Sequence, residues 1–252
     1  STISTFQLPN SRSKCKLANY NSSVAVIICH PWGLLGGNMH NPVVTRLARY
    51  FRRIGITTLQ LNFAGSQIGR GWKEVSQVEE AASYLLSGTH CSNTSPNMDT
   101  NSQQTHAPSY ILLVGYSYGS LITATATASI PKCVGHISIA PPFGVMRWLL
   151  LFNSSYHTRQ AKKRAHLPRF WIMGEKDNFT SPSTFEKALK EYPHDSTTHI
   201  LLPGIDHFFT YGLMDVIENI NGWLLKVYGE LCSGNIMNLS HADLTIFTED
   251  VE

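Results

Sequence analysis

A hydroxyl, a carboxylate and an imidazole, each set directly behind an apolar run, could together carry out acyl transfer in this chain. The hydroxyl is Ser117, in Gly115-Tyr116-Ser117-Tyr118-Gly119, where the apolar run 111–114 stops and an Ala/Thr-rich segment, 121–130, begins. Strand, tight turn and helix in that order make a nucleophile elbow. The serine is held in a strained turn, and glycines two residues to either side let strand and helix approach closely. A serine hydroxyl at its free pKa attacks carbonyls poorly, so it needs a base within hydrogen-bond reach and a carboxylate to orient that base. His207, in Gly204-Ile205-Asp206-His207, and Asp177, in Gly174-Glu175-Lys176-Asp177, follow two further apolar runs. Sites on parallel sheets assemble at the carboxyl ends of strands, and Ser, Asp, His is the chain order expected of an elbow on such a sheet. Asp206 competes with Asp177 for the carboxylate's part, but a side chain adjoining the histidine in sequence would struggle to reach its ring.

The elements that must position these groups are read from apolar runs and their punctuation. Strands are expected over 24–29, 56–63, 111–114, 136–140, 169–173 and 199–202, and helices over 42–54, 72–86, 121–130, 183–192 and 213–228. The strand runs are short and unalternating, as in strands buried on both faces, and helices separate them. That alternation predicts an α/β fold with a mainly parallel central sheet and helices on both faces. Residues 1–23 are polar with scattered apolar positions and could supply an edge hairpin. The Ser/Thr/Asn/Gln-rich stretch 87–109 reads as a low-complexity insertion, expected at the end of the sheet away from the chemistry. Residues 143–167 suffice for a small cap, with Phe143 and Trp148 as an apolar roof, whereas the tail 229–252 has no evident place.

Composition narrows the class. The 252 residues are 42% apolar and 15% charged with a net charge of +3, the balance of an ordinary globular domain and too weakly basic to argue for a nucleic-acid partner. One domain over 1–252, with its core at about 24–228, is the expectation. No apolar run reaches the length of a membrane span, and the N-terminus lacks a basic region followed by an apolar core. Five cysteines, odd in number and without a CxxC pair, indicate neither a disulfide framework nor a zinc site, so a reducing, cytoplasmic setting is expected. Five N-x-S/T triplets, at Asn21, Asn93, Asn153, Asn178 and Asn238, are read as products of a polar composition.

Five motifs then fall in a meaningful order: HPWGLLGG at 30–37, LNFAGSQIGRG at 61–71, GYSYG at 115–119, GEKD at 174–177 and GIDHFF at 204–209. Together they resemble the α/β-hydrolase superfamily, and within it the small serine hydrolases with an HPxPxxGG-like loop after the third strand. The resemblance covers about 24–228. It implies Ser117 as nucleophile, His207 as general base and then acid, and Asp177 as the group that fixes the imidazole tautomer. It further implies an oxyanion hole from the backbone N–H groups of Tyr118 and Trp32, where one donor can be worth about 3 kcal/mol in the transition state. Because Trp32-Gly33 departs from the family's loop, Trp32, Gly33 and Leu34 all stay open as the second donor. His30, Gly33, Leu34, Phe143 and Trp148 are expected around the substrate pocket, His30 chiefly organising the loop. The chemistry requires no metal or cofactor. A small-molecule ester or acyl substrate is expected, with a peptidase or amidase and a catalytically silent binding scaffold as alternatives.

Overall fold

The computed structural model describes residues 3–65, 67–91, 106–151, 153–192 and 195–229. Eight strands are formed by Ile3–Gln7 (β1), Lys14–Ala18 (β2), Val24–Cys29 (β3), Thr57–Asn62 (β4), Tyr110–Tyr116 (β5), Cys133–Ile139 (β6), Arg169–Lys176 (β7) and Thr197–Asp206 (β8). They make one sheet in the order β1-β2-β4-β3-β5-β6-β7-β8. β1 pairs antiparallel with β2 and β2 antiparallel with β4, while every other pairing is parallel. The polar N-terminal segment is thus an edge hairpin, which suits a stretch with one buried side at most.

The unalternating run of β3 is explained by two cores. Val24, Val26 and Ile28 face one apolar cluster and Ala25, Ile27 and Cys29 face another, so every residue of the strand is buried. The first cluster is closed by Pro42–Arg53 (α1) and Leu213–Tyr228 (α7), and the second by Trp72–Leu86 (α2) and Tyr118–Ala126 (α3). α1 begins with Asn41 accepting the Val43 N–H and Pro42 at its first position, a start signal in both respects.

The segment between β6 and β7 forms Met146–Leu149 (α4) and Ser154–Ala161 (α5), and Pro182–Leu189 (α6) follows β7. α5 is tied down by His157, whose Nε2–H donates to the Arg70 carbonyl at 2.6 Å while Nδ1 meets Thr125 Oγ1 at 2.8 Å. Its return to the sheet is held by Arg169, a buried guanidinium that donates to the carbonyls of Ala161, Arg164 and Leu167.

Two boundaries differ from expectation in ways that matter to the site. The helix behind the elbow starts at Tyr118 instead of residue 121, because the turn is completed at Ser117 alone and no linker intervenes. β7 and β8 run on through polar residues, pairing Lys176 with Asp206, so that the next residue of each strand is Asp177 and His207. Most of the polar insertion (92–105) and of the tail (230–252) lies outside the described residues. Among the described residues, no helix is long and apolar enough to cross a membrane.

Candidate active site

Ser117 has φ 52° and ψ −123°, a left-handed φ that a non-glycine residue adopts only when its surroundings impose it. The imposition is visible. Its N–H donates to Ile139 O at 2.8 Å, fixing the turn to the neighbouring strand. A methyl on Gly115 would come within 2.4 Å of Gly119 O and Ser120 Cα, and one on Gly119 within 2.6 Å of the carbonyl oxygens of Cys29 and His30. Only glycine at both positions lets β5, α3 and the end of β3 close on one another.

Three side chains arriving from three strand ends meet here. His207 Nε2 lies 2.9 Å from Ser117 Oγ, and His207 Nδ1 lies 2.6 Å from Asp177 Oδ2. The other carboxylate oxygen of Asp177 accepts the N–H groups of Phe179 at 2.7 Å and Thr180 at 3.0 Å, so the carboxylate cannot rotate. An ionised carboxylate only accepts, which places the proton on Nδ1 and leaves Nε2 as the acceptor for the serine hydroxyl. All three residues are buried. Asp206, the competing acid, is spent elsewhere: its carboxylate accepts the N–H of Thr210 at 3.1 Å and its hydroxyl at 2.8 Å. Tyr116 braces the histidine from below, donating its hydroxyl to the His207 carbonyl at 3.0 Å, and Phe179 packs on the ring with centroids 4.4 Å apart.

Two backbone N–H groups near the elbow are without a backbone acceptor among the described residues. Tyr118 N–H belongs to the first turn of α3 and has no carbonyl of its own helix to pair with. The loop 30–37 supplies the other. Gly33 N–H donates to Gln67 Oε1 at 2.7 Å and is therefore committed, and Leu34 is absent from the cavity wall. Trp32 shares a cavity wall with Ser117, and its N–H has no acceptor among the described residues.

The cavity above Ser117 holds about 350 Å³ and is lined mainly by apolar side chains, among them Trp32, Leu35, Val145, Trp148, Phe179 and Phe208. Of the expected pocket residues, Trp148 is on this wall and four are not. His30 is buried behind the loop, its Nδ1–H on Pro31 O at 2.5 Å and its Nε2 accepting the Phe63 N–H at 3.0 Å; burial pushes its pKa down to about 4. Gly33 and Leu34 lie off the wall, and Leu35, one residue later in the same helical turn, lines it. Phe143 precedes α4 and packs against Trp171 instead, the rings tilted at 39° with centroids 5.1 Å apart. The cap instead presents Val145, Trp148 and Leu149, spaced i, i+3, i+4, a helical face that was open to reading in the sequence. Phe179 and Phe208 were also missed, although each stands within two residues of an expected site residue.

No family model matches the chain. An uncharacterized protein of Rickettsia prowazekii is 23% identical over 229 residues, covering 88% of this chain and 87% of its own. A solved structure from Xanthomonas campestris, described as an α/β serine hydrolase without a lid, is similar with TM-score 0.66 and 24% identity over 90% of this chain and 94% of that one. Est1E from Butyrivibrio proteoclasticus, solved with ferulic acid bound, has TM-score 0.69 and 12% identity over 88% of this chain and 98% of that one. These likenesses, with the sheet order above, show the α/β-hydrolase fold.

Proposed function

We propose that this chain of α/β-hydrolase fold is a serine hydrolase cleaving carboxylic esters or thioesters through an acyl-enzyme on Ser117. The reading rests above all on the unbroken path of hydrogen bonds from Ser117 Oγ through His207 to Asp177, with the proton on Nδ1 and the acceptor facing the hydroxyl. On attack, Oγ bonds to the carbonyl carbon while its proton passes to Nε2. The oxyanion is received by the N–H groups of Trp32 and Tyr118. Collapse expels the alcohol or thiol, which takes the proton from Nε2 as it leaves. Water then repeats the sequence on the acyl-enzyme, giving the acid and restoring the serine. Asp177 holds the ring in register and stabilises the imidazolium.

The cavity supports a choice of substrate class. Its walls carry no lysine or arginine among the described residues and are dominated by aromatic and aliphatic side chains, which favours an uncharged apolar or aromatic group beside the scissile bond. The ferulic acid held by Est1E carries an aromatic ring of that kind next to its carboxyl group. Cys15, Cys29 and Cys133 are free, buried thiols, in keeping with work in a reducing compartment such as the cytoplasm.

A fluorophosphonate probe tests the reading. Wild-type protein should be labelled and lose esterase activity in step, and Ser117→Ala should take no label. A folded wild type that the probe leaves untouched would remove the claim. Esters, thioesters and anilides compared at matched acyl groups then assign the leaving-group class.

A further inference from the structure

Gln67 has no place in the triad or the cavity wall, yet it is buried and sits at φ 53°, a left-handed conformation that a side-chain-bearing residue holds only under constraint. Two hydrogen bonds join it to consecutive residues of the loop after β3. Its carboxamide Oε1 accepts Gly33 N–H at 2.7 Å, and its main-chain carbonyl accepts the Trp32 indole N–H at 2.9 Å. The carboxamide lies so flat on the loop that a methyl on Gly33 would come 2.6 Å from Nε2. The same peptide is held at its other end, where Trp32 O accepts the N–H groups of Leu35 and Gly37, each at 3.1 Å. The Trp32–Gly33 peptide plane is thus fixed on both edges, and Trp32, on its N-terminal side, lines the cavity with Ser117 and has its own N–H uncommitted among the described residues.

We infer that Gln67 is a positioning residue for oxyanion stabilisation: by occupying Gly33 N–H and anchoring the Trp32 indole, it aims the Trp32 N–H at the developing negative charge. This deepens the serine-hydrolase reading and depends on it. A donor aimed in advance stabilises charge without reorganising during reaction, and an error near 1 Å at such a donor can cost about 100-fold. The left-handed backbone is what brings both Gln67 acceptors to the loop at once.

The test uses Gln67→Gly and Gln67→Glu in the full chain. Glycine suits the backbone at φ 53° and keeps the main-chain acceptor, so the fold is preserved while the side-chain acceptor is lost. Glutamate keeps an oxygen for Gly33 N–H. Gln67→Gly is expected to lower kcat about 10- to 100-fold with KM nearly unchanged, and to weaken a boronic-acid transition-state analogue in parallel. Gln67→Glu should recover most of both. A merely structural role would lower Tm and leave kcat and boronate affinity alone. A folded Gln67→Gly within twofold of wild type in both readouts overturns the inference, as does a Gln67→Glu no better than Gln67→Gly. Wild-type labelling by the fluorophosphonate separates the two levels: an unlabelled wild type defeats the hydrolase reading, whereas a labelled wild type with an indifferent Gln67→Gly defeats the positioning role alone.

Discussion

Replacing Asp177 by asparagine should do more damage than the loss of a charge, because the surroundings dictate which way the amide points. In the wild type, Oδ1 faces two backbone donors, Phe179 N–H at 2.7 Å and Thr180 N–H at 3.0 Å, and Oδ2 faces His207 Nδ1 at 2.6 Å. An asparagine must keep its carbonyl oxygen on the two N–H groups, since its NH₂ there would oppose donors with a donor. The NH₂ is then left facing Nδ1 and can be satisfied only if Nδ1 accepts. That drives the ring proton to Nε2, the atom that lies 2.9 Å from Ser117 Oγ and must be free to take the serine proton. The expected loss in kcat is about 10⁴-fold, or about 5.5 kcal/mol in the barrier. Asp177→Ala is the informative partner. It removes the group that enforces the wrong tautomer, so its kcat should exceed that of the asparagine variant. It also leaves the Phe179 and Thr180 donors unpaired, at about 1–3 kcal/mol of stability each. Steady-state hydrolysis of a p-nitrophenyl ester, with thermal melts to establish folding, measures both. An asparagine variant within tenfold of wild type would refute this reasoning, and so would an Asp206→Asn variant more impaired than Asp177→Asn.

Further outcomes follow from the same geometry. Tyr116→Phe leaves the buried His207 carbonyl without its donor and should cost about 1 kcal/mol in stability, read as a lowered denaturation midpoint. Because His30 is neutral in the fold with a pKa near 4 against 6.5 when unfolded, the unfolded chain binds the extra proton first on acidification. Stability should therefore fall from about pH 6.5 downward by roughly 3 kcal/mol at pH 4, and His30→Gln should flatten that part of a Tm-against-pH curve. Trp148→Ala enlarges the cavity on the cap side and should raise KM for compact apolar esters about 10-fold while favouring bulkier acyl groups, read from an acyl-chain series. An acyl-chain profile identical to that of the wild type would remove Trp148 from the specificity wall.

How much of this was legible in the sequence differs from part to part. The strand 24–29 and the helices 72–86 and 213–228 lie where their apolar patterns place them, since burial on both sheet faces or along one stripe leaves a direct imprint on composition. Ser117, Asp177 and His207 could be singled out because each ends an apolar run with turn residues, and the structure brings them within hydrogen-bond reach. The extension of β7 and β8 through Glu175, Lys176 and Asp206 left no such imprint, because it depends on a partner strand supplying the ladder. The cavity wall was harder still. Whether Phe143 or Val145 lines the cavity is decided by the turn that precedes α4, and a one-residue shift in a loop exchanges Leu34 for Leu35. Gln67 was invisible for another reason: nothing in its type betrays a left-handed backbone.

Gly119 touches the carbonyls of Cys29 and His30 with no side chain in between. The Ser117 hydroxyl, the proposed nucleophile, and the root of the loop that would receive the negative charge are therefore gauged against each other by bare main chain, with no flexible group to absorb error. Drift in the last residues of β3 would reach the serine undiminished, and the two halves of the machinery would have to change together or not at all.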